Sequence, residues 1–537
     1  MSFATYQPKP KPTKNASGQL AGARFASSSL EMGRQMSGNP VDSLHSLSSL
    51  SLASSAVTSE EKIMSFPPQT SSLLHLFYDP ILSQTHLPAN GTEYECPERV
   101  KVIYDHLKSQ PNFSHDYLEF DAAGIRAGDG RMLSPEDLEI VHGKRYIDTL
   151  EEFKDLRPEQ LRIAELKYEN DVYVHNTSFT AATICASGVL ECCRRATHSL
   201  GGSRTAVSIS RPPGHHACQN KAMGFCFLNN VAIAAKISRA RKWARKVLII
   251  DWDIHHGNGT QELTYDDPNI MYLSLHRQGV GSNYFYPGTG MPHETGGESA
   301  TGSNVNITWN QRLMGNTEYI CAWSELVLPV VHKFDPDLII ISSGFDAAKG
   351  DLIGDCLLTP ECYFLMTRSL MTVLNRDRTA VVVALEGGYN LSVIPLCQEA
   401  VSMALKGEEW DEDAGVNPLS QLSSPQPQPK SRIALSENPL VRARLLLNKY
   451  WDYYEKNDRQ RGKKLSKGAC NSVNKTIRAL VEIDFFKSIG LRQVKEQIEQ
   501  KAHGTRKVGD RKEGRGGKGG DYLDEDALDD MFGKMNL

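Results

Sequence analysis

The sequence has no CxxC pair, and its eleven cysteines (96, 185, 192, 193, 218, 226, 321, 356, 362, 397 and 470) are odd in number and mostly set in apolar or helical contexts. That usage argues against a secreted disulfide framework and for a reducing compartment. No apolar run approaches the roughly 18 to 20 residues needed to cross a bilayer, and no hydrophobic signal core opens the chain, so a soluble intracellular protein is expected. A large net charge is also missing. The formal value of −4 excludes neither a nucleic-acid neighbour nor a cytosolic life, because net charge bears on solubility and steering. Acidic residues are absent from the first thirty positions, which carry four basic ones, and residues 1–60 hold 14 serines. Such a segment cannot build a core, so 1–70 reads as a disordered tail; its resemblance to an organellar transit peptide is the lesser reading.

What the chain does have begins near Ser71, where short apolar runs alternate with helical segments up to Gly407. Candidate strands are 73–79 (LLHLFYD), 205–211 (TAVSISR), 246–253 (KVLIIDWD), 270–276 (IMYLSLH), 337–344 (DLIIISSG) and 379–387 (TAVVVALEG). Several are continuously apolar, as strands buried on both faces require. Helix-like stretches lie between them: ERVKVIYDHLKSQ, SPEDLEIVH with a capping box from Ser134 and Asp137, NNVAIAAKISRARKWA, EYICAWSELVLPVVHKF and TPECYFLMTRSLMTVL. The fold class is α/β, an open and mostly parallel sheet with helices on both faces, flanked by disordered tails. A Pro-rich linker is expected over 408–436, then a docking helix (ENPLVRARLLLNKYWDYYEK) that closes a catalytic domain at 71–456. A helical extension follows at 457–503, interrupted near Gly490. The last stretch, 504–537, is a charge diblock: KAHGTRKVGDRKEGRGGKGG has seven basic and two acidic residues, DYLDEDALDDMFGKMNL six acidic and one basic.

In an open parallel sheet, ligands bind beyond the carboxyl ends of the strands, so polar residues following separate strands belong together. Five segments qualify: RPPGHHA, DWDIHHGNG, LHR, GFDAAKGD and EGGYN. Asp253 and His255, two residues apart in extended chain, point to one side, and Asp346 arrives from another strand. Each carboxylate alone would pass for a cap or turn residue. Together they make three oxygen and nitrogen ligands with a position left for water, which suits Zn²⁺, or Fe²⁺, in a hydrolase. His215 and His216 supply a base and its neighbour, with Asp251 and Asn258 as the nearest orienting acceptors. Tyr389, after two glycines, is placed to meet a developing oxyanion.

With RPPGHHA (211–217), GFCFLNN (224–230), DWDIHHGNGT (251–260), YLSLHR (272–277), SSGFDAAKGD (342–351) and LEGGYNL (385–391) in this order, the chain resembles the zinc-dependent histone deacetylases of class II over about 72–407, and is most similar to their fungal-type members. The resemblance implies that Asp253, His255 and Asp346 hold Zn²⁺, and that His216 is general base and then general acid. His215 would be mainly electrostatic, with Asp251 pairing His215 and Asn258 pairing His216. Tyr389 would polarise the acetyl carbonyl, Phe225 and Tyr286 would line the acyl-lysine slot, and Gly224 would accept from the substrate amide. Arg99 would lie near an internal channel below the metal. A structural K⁺ is implied at Asp251, Asp253, His255, Ser274 and Leu275. Class IIa members of animals carry His where Tyr389 stands, and the polyamine-specific members carry Glu where Ile353 stands, so acetyl-lysine in proteins is the implied substrate. Fungal-type relatives continue into a long α/β module, whereas the segments after the catalytic domain here are expected to form helix and tail.

The expected activity is therefore hydrolysis of N6-acetyl-lysine in proteins, histone tails foremost, with transcriptional repression and corepressor or other protein partners implied. Non-histone cytosolic substrates stay open, as does an acetyl-lysine scaffold with low turnover. A manganese ureohydrolase of arginase type is the competing enzyme; its two-metal site needs more bridging carboxylates, and Asn258 stands where one would help. No membrane and no sequence-specific nucleic acid contact is expected. RKVGDRKEGRGGK is a weak nuclear signal, broken by acids and glycines, and residence in the nucleus with shuttling is the expectation. The terminal YLDEDALDDMF, with Tyr522, Leu523, Leu528, Met531 and Phe532 as anchors, reads as a solvated tail or a docking motif.

Overall fold

A computed structural model describes residues 73–408, with breaks at 89–93, 128–129, 169–170 and 280–283, together with 447, 475–480 and 483–487. The Ser-rich start, the 408–436 linker apart from its first residue, nearly all of the expected docking helix, the Gly490 interruption and the charged 504–537 tail lie outside the described residues.

Eight strands form one sheet: β1 (Leu74–Tyr78), β2 (Tyr117–Phe120), β3 (Thr205–Ile209), β4 (Val247–Asp251), β5 (Ile270–Arg277), β6 (Asn304–Trp309), β7 (Leu338–Ser343) and β8 (Ala380–Leu385). Their order is β2-β1-β3-β8-β7-β4-β5-β6, and every pair is parallel. The runs VLIID, LIIISS and AVVVAL are buried at every position, because helices cover both faces and leave no side of the pleat for water. Register sorts the side chains into two cores. Leu248, Ile339 and Val381 line up on one face, with Val247, Leu338 and Ala380 on the other. The Glu98–Lys108, Pro360–Val373 and Ile394–Lys406 helices pack on the first face, the Ser178–Thr197 and Asn230–Ala240 helices on the second. Truncating a fully buried Ile of β7 to Ala would cost about 2–5 kcal/mol.

Six strands coincide with the apolar runs of the sequence; β2 and β6 do not. Both are edge strands. β2 has only four residues with two of them partly exposed, and β6 (NVNITW) interleaves Asn and Thr with its apolar residues. The Ser134 box is present but caps a helix of only four residues, Pro135–Leu138. The EYICAWSELVLPVVHKF run is helical but widens to a π turn at Trp323–Val327, where Pro329 has no N–H to continue the ladder. Residues 475–480 and 483–487 lie against the β6 edge: Thr476 Oγ1 donates to the Asn306 carbonyl at 2.7 Å, and Ile477, Leu480 and Phe486 are buried in the first core. An edge strand otherwise presents an open row of backbone groups, and the Thr476 contact satisfies one of them. Among the described residues no helix is long and apolar enough to cross a membrane.

Candidate metal centre and catalytic pocket

The site forms where β3, β8, β7 and β4 end, at the middle of the sheet. β4 leads directly into Asp253 and His255, β7 into Asp346, β3 into the GHH turn and β8 into EGGY. His255 Nδ1 lies 3.2 Å from Asp253 Oδ1 and 2.9 Å from Asp346 Oδ2. One ligand atom from each of the three lies within 4.8 Å of the others, and all three residues are buried. Two carboxylates and an imidazole thus meet away from bulk solvent, and each alters the charge of the others. Burial and the Asp253 charge push the Asp346 carboxyl up to about 7, and His255, despite its burial, is raised to about 9 by the same two carboxylates.

A divalent cation fits this set. Zinc–nitrogen and zinc–oxygen bonds of about 2.0–2.2 Å put neighbouring ligand atoms roughly 3.4 Å apart, close to the separations observed. The backbone leaves room for it as well. A Cβ at Gly344 would come within 2.0 Å of Asp253 Oδ2, and one at Gly387 within 2.5 Å of Asp346 Oδ2. Glycine at both positions allows the two carboxylates to converge. Their remaining contacts aim them: Gly387 N–H donates to Asp253 Oδ2 at 2.9 Å and Ile254 N–H to Asp346 Oδ1 at 2.9 Å. Phe285 stacks parallel on the His255 ring, centroids 4.9 Å apart, and the Arg277 guanidinium lies 4.3 Å from the centre of Phe285.

Beside the trio, His215 Nδ1 lies 3.1 Å from Asp251 Oδ2, which also accepts from the Tyr272 hydroxyl at 2.9 Å. Burial works against charge on His215, but Asp253 and Asp251 outweigh it and hold the ring raised to about 10. His216 Nδ1 lies 2.8 Å from Asn258 Oδ1. Burial pushes its pKa well below the ordinary histidine value, and the charge on His215 acts the same way. An imidazole held neutral with Nδ1–H on an acceptor keeps the Nε2 lone pair available.

Tyr389 is 7 % exposed, and its backbone N–H donates to Asp351 Oδ2 at 2.7 Å. The Phe225 ring lies 5.8 Å from that of Tyr389, and Tyr286 stands edge-on to His216 at 5.1 Å. Gly224, with φ of 56°, presses its backbone on His216, and its N–H donates to Asp171 Oδ2 at 3.1 Å. Arg99 is fully buried and donates to the carbonyls of Gly388, at 2.7 Å, and Glu386, with its guanidinium 4.9 Å from the Tyr389 ring centre. Ser274 pairs in register with Asp251; its hydroxyl lies 2.8 Å from His276 Nδ1, and the Leu275 side chain faces the apolar core. Ile353 is partly buried, its N–H on Asp351 Oδ1 at 2.9 Å.

Sequence reasoning did not single out Glu386, Asp351, Phe285 or the Glu95–Arg211 pair. Glu386 Oε2 accepts the N–H groups of Gly214, at 2.7 Å, and His215, at 3.2 Å, and so sets the GHH turn. Glu95 bridges Arg99 and Arg211, both fully buried; burial opposes its charge, yet Arg211 holds its carboxyl at about 2. Glu386, Asp351 and Arg211 lie in motifs already quoted, Glu95 and Phe285 outside them, and the contacts join segments distant in the chain.

Residues 93–405 match the model of the histone deacetylase domain. The chain belongs to the histone deacetylase domain family. It is 38% identical over 330 residues to histone deacetylase HDA1 of Saccharomyces cerevisiae, covering 61% of this chain and 44% of that protein. To histone deacetylase clr3 of Schizosaccharomyces pombe it is 40% identical over 324 residues, 58% of this chain and 45% of the relative. To histone deacetylase 15 of Arabidopsis thaliana it is 36% identical over 351 residues, 65% and 59%. The chain thus spans less than half the length of the two yeast relatives. Among solved structures, the HDA15 HD domain aligns with a TM-score of 0.55 at 31% identity, over 74% of this chain and 100% of that one. The class II resemblance read from the motifs and the parallel α/β architecture both agree with these relatives.

Proposed function

We propose that this chain hydrolyses the N6-acetyl-lysine amide in proteins, with Zn²⁺ held by Asp253, His255 and Asp346. The observation that carries the reading is the meeting, at four adjacent strand ends, of this buried trio with His215, His216 and Tyr389. Bound zinc would supply Lewis acidity towards the acetyl carbonyl and an activated water. The chain's own residues do the rest. His216, neutral and tethered through Nδ1, takes the proton of the attacking water at Nε2 and returns it to the departing lysine amine. His215, hydrogen-bonded to Asp251 through Nδ1, acts mainly electrostatically on the negative charge that builds nearby. Tyr389 donates its hydroxyl to the developing oxyanion, against which a water-excluded donor is worth most. Phe225 and Tyr286 flank the methylene stem, and the Gly224 carbonyl accepts from the acyl-lysine amide N–H. Arg99 braces the Tyr389 loop from below and lies where an internal channel would open.

A K⁺ at Asp251, Asp253, His255, Ser274 and Leu275 belongs to the same reading, supported by the adjacency of Ser274 and Asp251 across β4 and β5. Histone tails are the proposed substrate, with repression of transcription, corepressor partners and residence in the nucleus following from it; the names of the relatives support this. Ile353 offers no charge to a polyamine, which favours acetyl-lysine.

Turnover of acetyl-lysine peptides by the zinc-loaded chain tests the proposal. Tyr389→Phe and His216→Ala are expected to lower kcat by a hundredfold or more, roughly, with the zinc content unchanged. Turnover at the wild-type rate in either variant would overturn the mechanism.

A further inference from the structure

Asn258 is the partner of His216, and its usefulness depends on which way its amide faces. If Oδ1 faces His216, the imidazole keeps its proton on Nδ1 and its lone pair on Nε2. If Nδ2 faces His216, the proton moves to Nε2 and the base is lost. Electron density alone rarely distinguishes the two ends of an asparagine side chain, and surrounding donors and acceptors decide. Here the surroundings are unusual. Asn258 Nδ2 lies 3.2 Å from Cys218 Sγ and 3.4 Å from Met223 Sδ, so both sulfurs are within reach of its N–H groups.

We propose that Cys218 and Met223 are positioning residues for His216, their two sulfurs fixing the Asn258 amide so that Oδ1 faces the imidazole. This rests on the deacetylase reading for its catalytic meaning, though not for its geometry. The Met223 thioether has no hydrogen to give, so it tolerates the N–H end of an amide and repels the carbonyl end. The Cys218 S–H has acceptors in the His216 carbonyl, 3.6 Å away, and the Glu262 carboxylate, and either leaves a lone pair for Asn258. Turning the amide over would sacrifice two N–H···S contacts, set Oδ1 against a thioether and drive the imidazole proton from Nδ1 to Nε2. Each contact is weak alone. Their sum is exerted on one rotatable group whose two orientations differ in whether His216 can act as a base. Both sulfurs come from the loop joining the GHH turn to the Phe225 wall, so one stretch of chain carries the base and sets its tautomer.

The test uses the full zinc-loaded chain and three variants: Met223→Leu, which conserves volume, Met223→Leu with Cys218→Ala, and Met223→Leu with Cys218→Ser, which restores a polar acceptor. The Leu–Ala double variant is expected to lose about tenfold in kcat, as for removal of partners that orient a catalytic group, with KM and zinc content within about twofold. The Leu–Ser variant should recover most of that loss. Nitrogen-15 spectra of the imidazoles, with His216 assigned through His216→Ala, should show a single Nδ1–H tautomer in the wild type and a mixture in the Leu–Ala variant. A Leu–Ala variant that keeps both its kcat and the single tautomer overturns the proposal. Should the wild type hydrolyse no acetyl-lysine peptide, the functional reading fails, and the tautomer measurement still decides this one.

Discussion

The carboxylate of Asp351 accepts the backbone N–H of Tyr389 on one oxygen, at 2.7 Å, and those of Ile353 and Gly354 on the other, at 2.9 and 3.1 Å. The loop after β7 thereby sets the position of the tyrosine that follows β8. Asp351→Ala removes the acceptor and lets the Tyr389 hydroxyl drift. The expected outcome is a fall in kcat of about tenfold to a hundredfold, the effect of misplacing a reacting group by about an ångström. Steady-state kinetics on an acetyl-lysine peptide checks it, and an unchanged kcat would show that the loop holds its shape without this carboxylate.

Phe285 fills the space between the Arg277 guanidinium and the His255 ring. Phe285→Ala leaves the imidazole free to rotate, so zinc should be retained about tenfold less tightly. Competition with a chromophoric chelator measures this directly, and equal retention in variant and wild type would refute it.

His142 accepts the Asn229 N–H on Nε2 at 3.0 Å, and its Nδ1 lies 3.0 Å from the Cys218 carbonyl, to which it donates. Both contacts are made by the neutral ring, and burial pulls its pKa down from the usual 6.5 to about 4. Between those values the unfolded chain binds a proton that the folded chain refuses, so stability is complete above about pH 6.5 and is lost as the pH falls towards 4. The contribution is on the order of 3 kcal/mol. Urea unfolding from pH 7 to pH 4 should show a shallower loss in His142→Gln than in the wild type; parallel curves would count against it.

Phe486 is buried beside β6, and Thr476 binds the carbonyl of Asn306. Phe486→Ala should destabilise the domain by about 3–5 kcal/mol and make residues 475–487 the first site cut by a protease. A melting temperature within about a degree of the wild type would mean that the segment contributes nothing to the sheet.

The central strands were legible because their apolar runs are uninterrupted, and β4, β7 and β8 begin within a residue or two of the expected positions. The edges were not. β2 and β6 owe their pairing to a neighbour, and nothing in YLEF or NVNITW separates strand from loop. The same division runs through the site. Asp253 and His255 are readable as a pair because two residues of extended chain bring them to one side, and Asp346 because it follows a buried strand. Glu386, Asp351 and Phe285 act on residues brought close only by the folded sheet, and spacing along the chain carries no trace of that. Cys218 and Met223 were visible merely as a cysteine and a methionine in a loop.

His255 and Asp346 are 91 positions apart in the chain, and they meet only because β4 and β7 are neighbours in the sheet. Parallel pairing of strands so separated is a late event, since the loop must close before the contacts compensate. A partly folded chain thus presents Asp253 and His255 without their third ligand, too few to retain zinc. On the proposed zinc reading, the metal would bind only once the sheet's centre is complete and would then stabilise that centre against reopening.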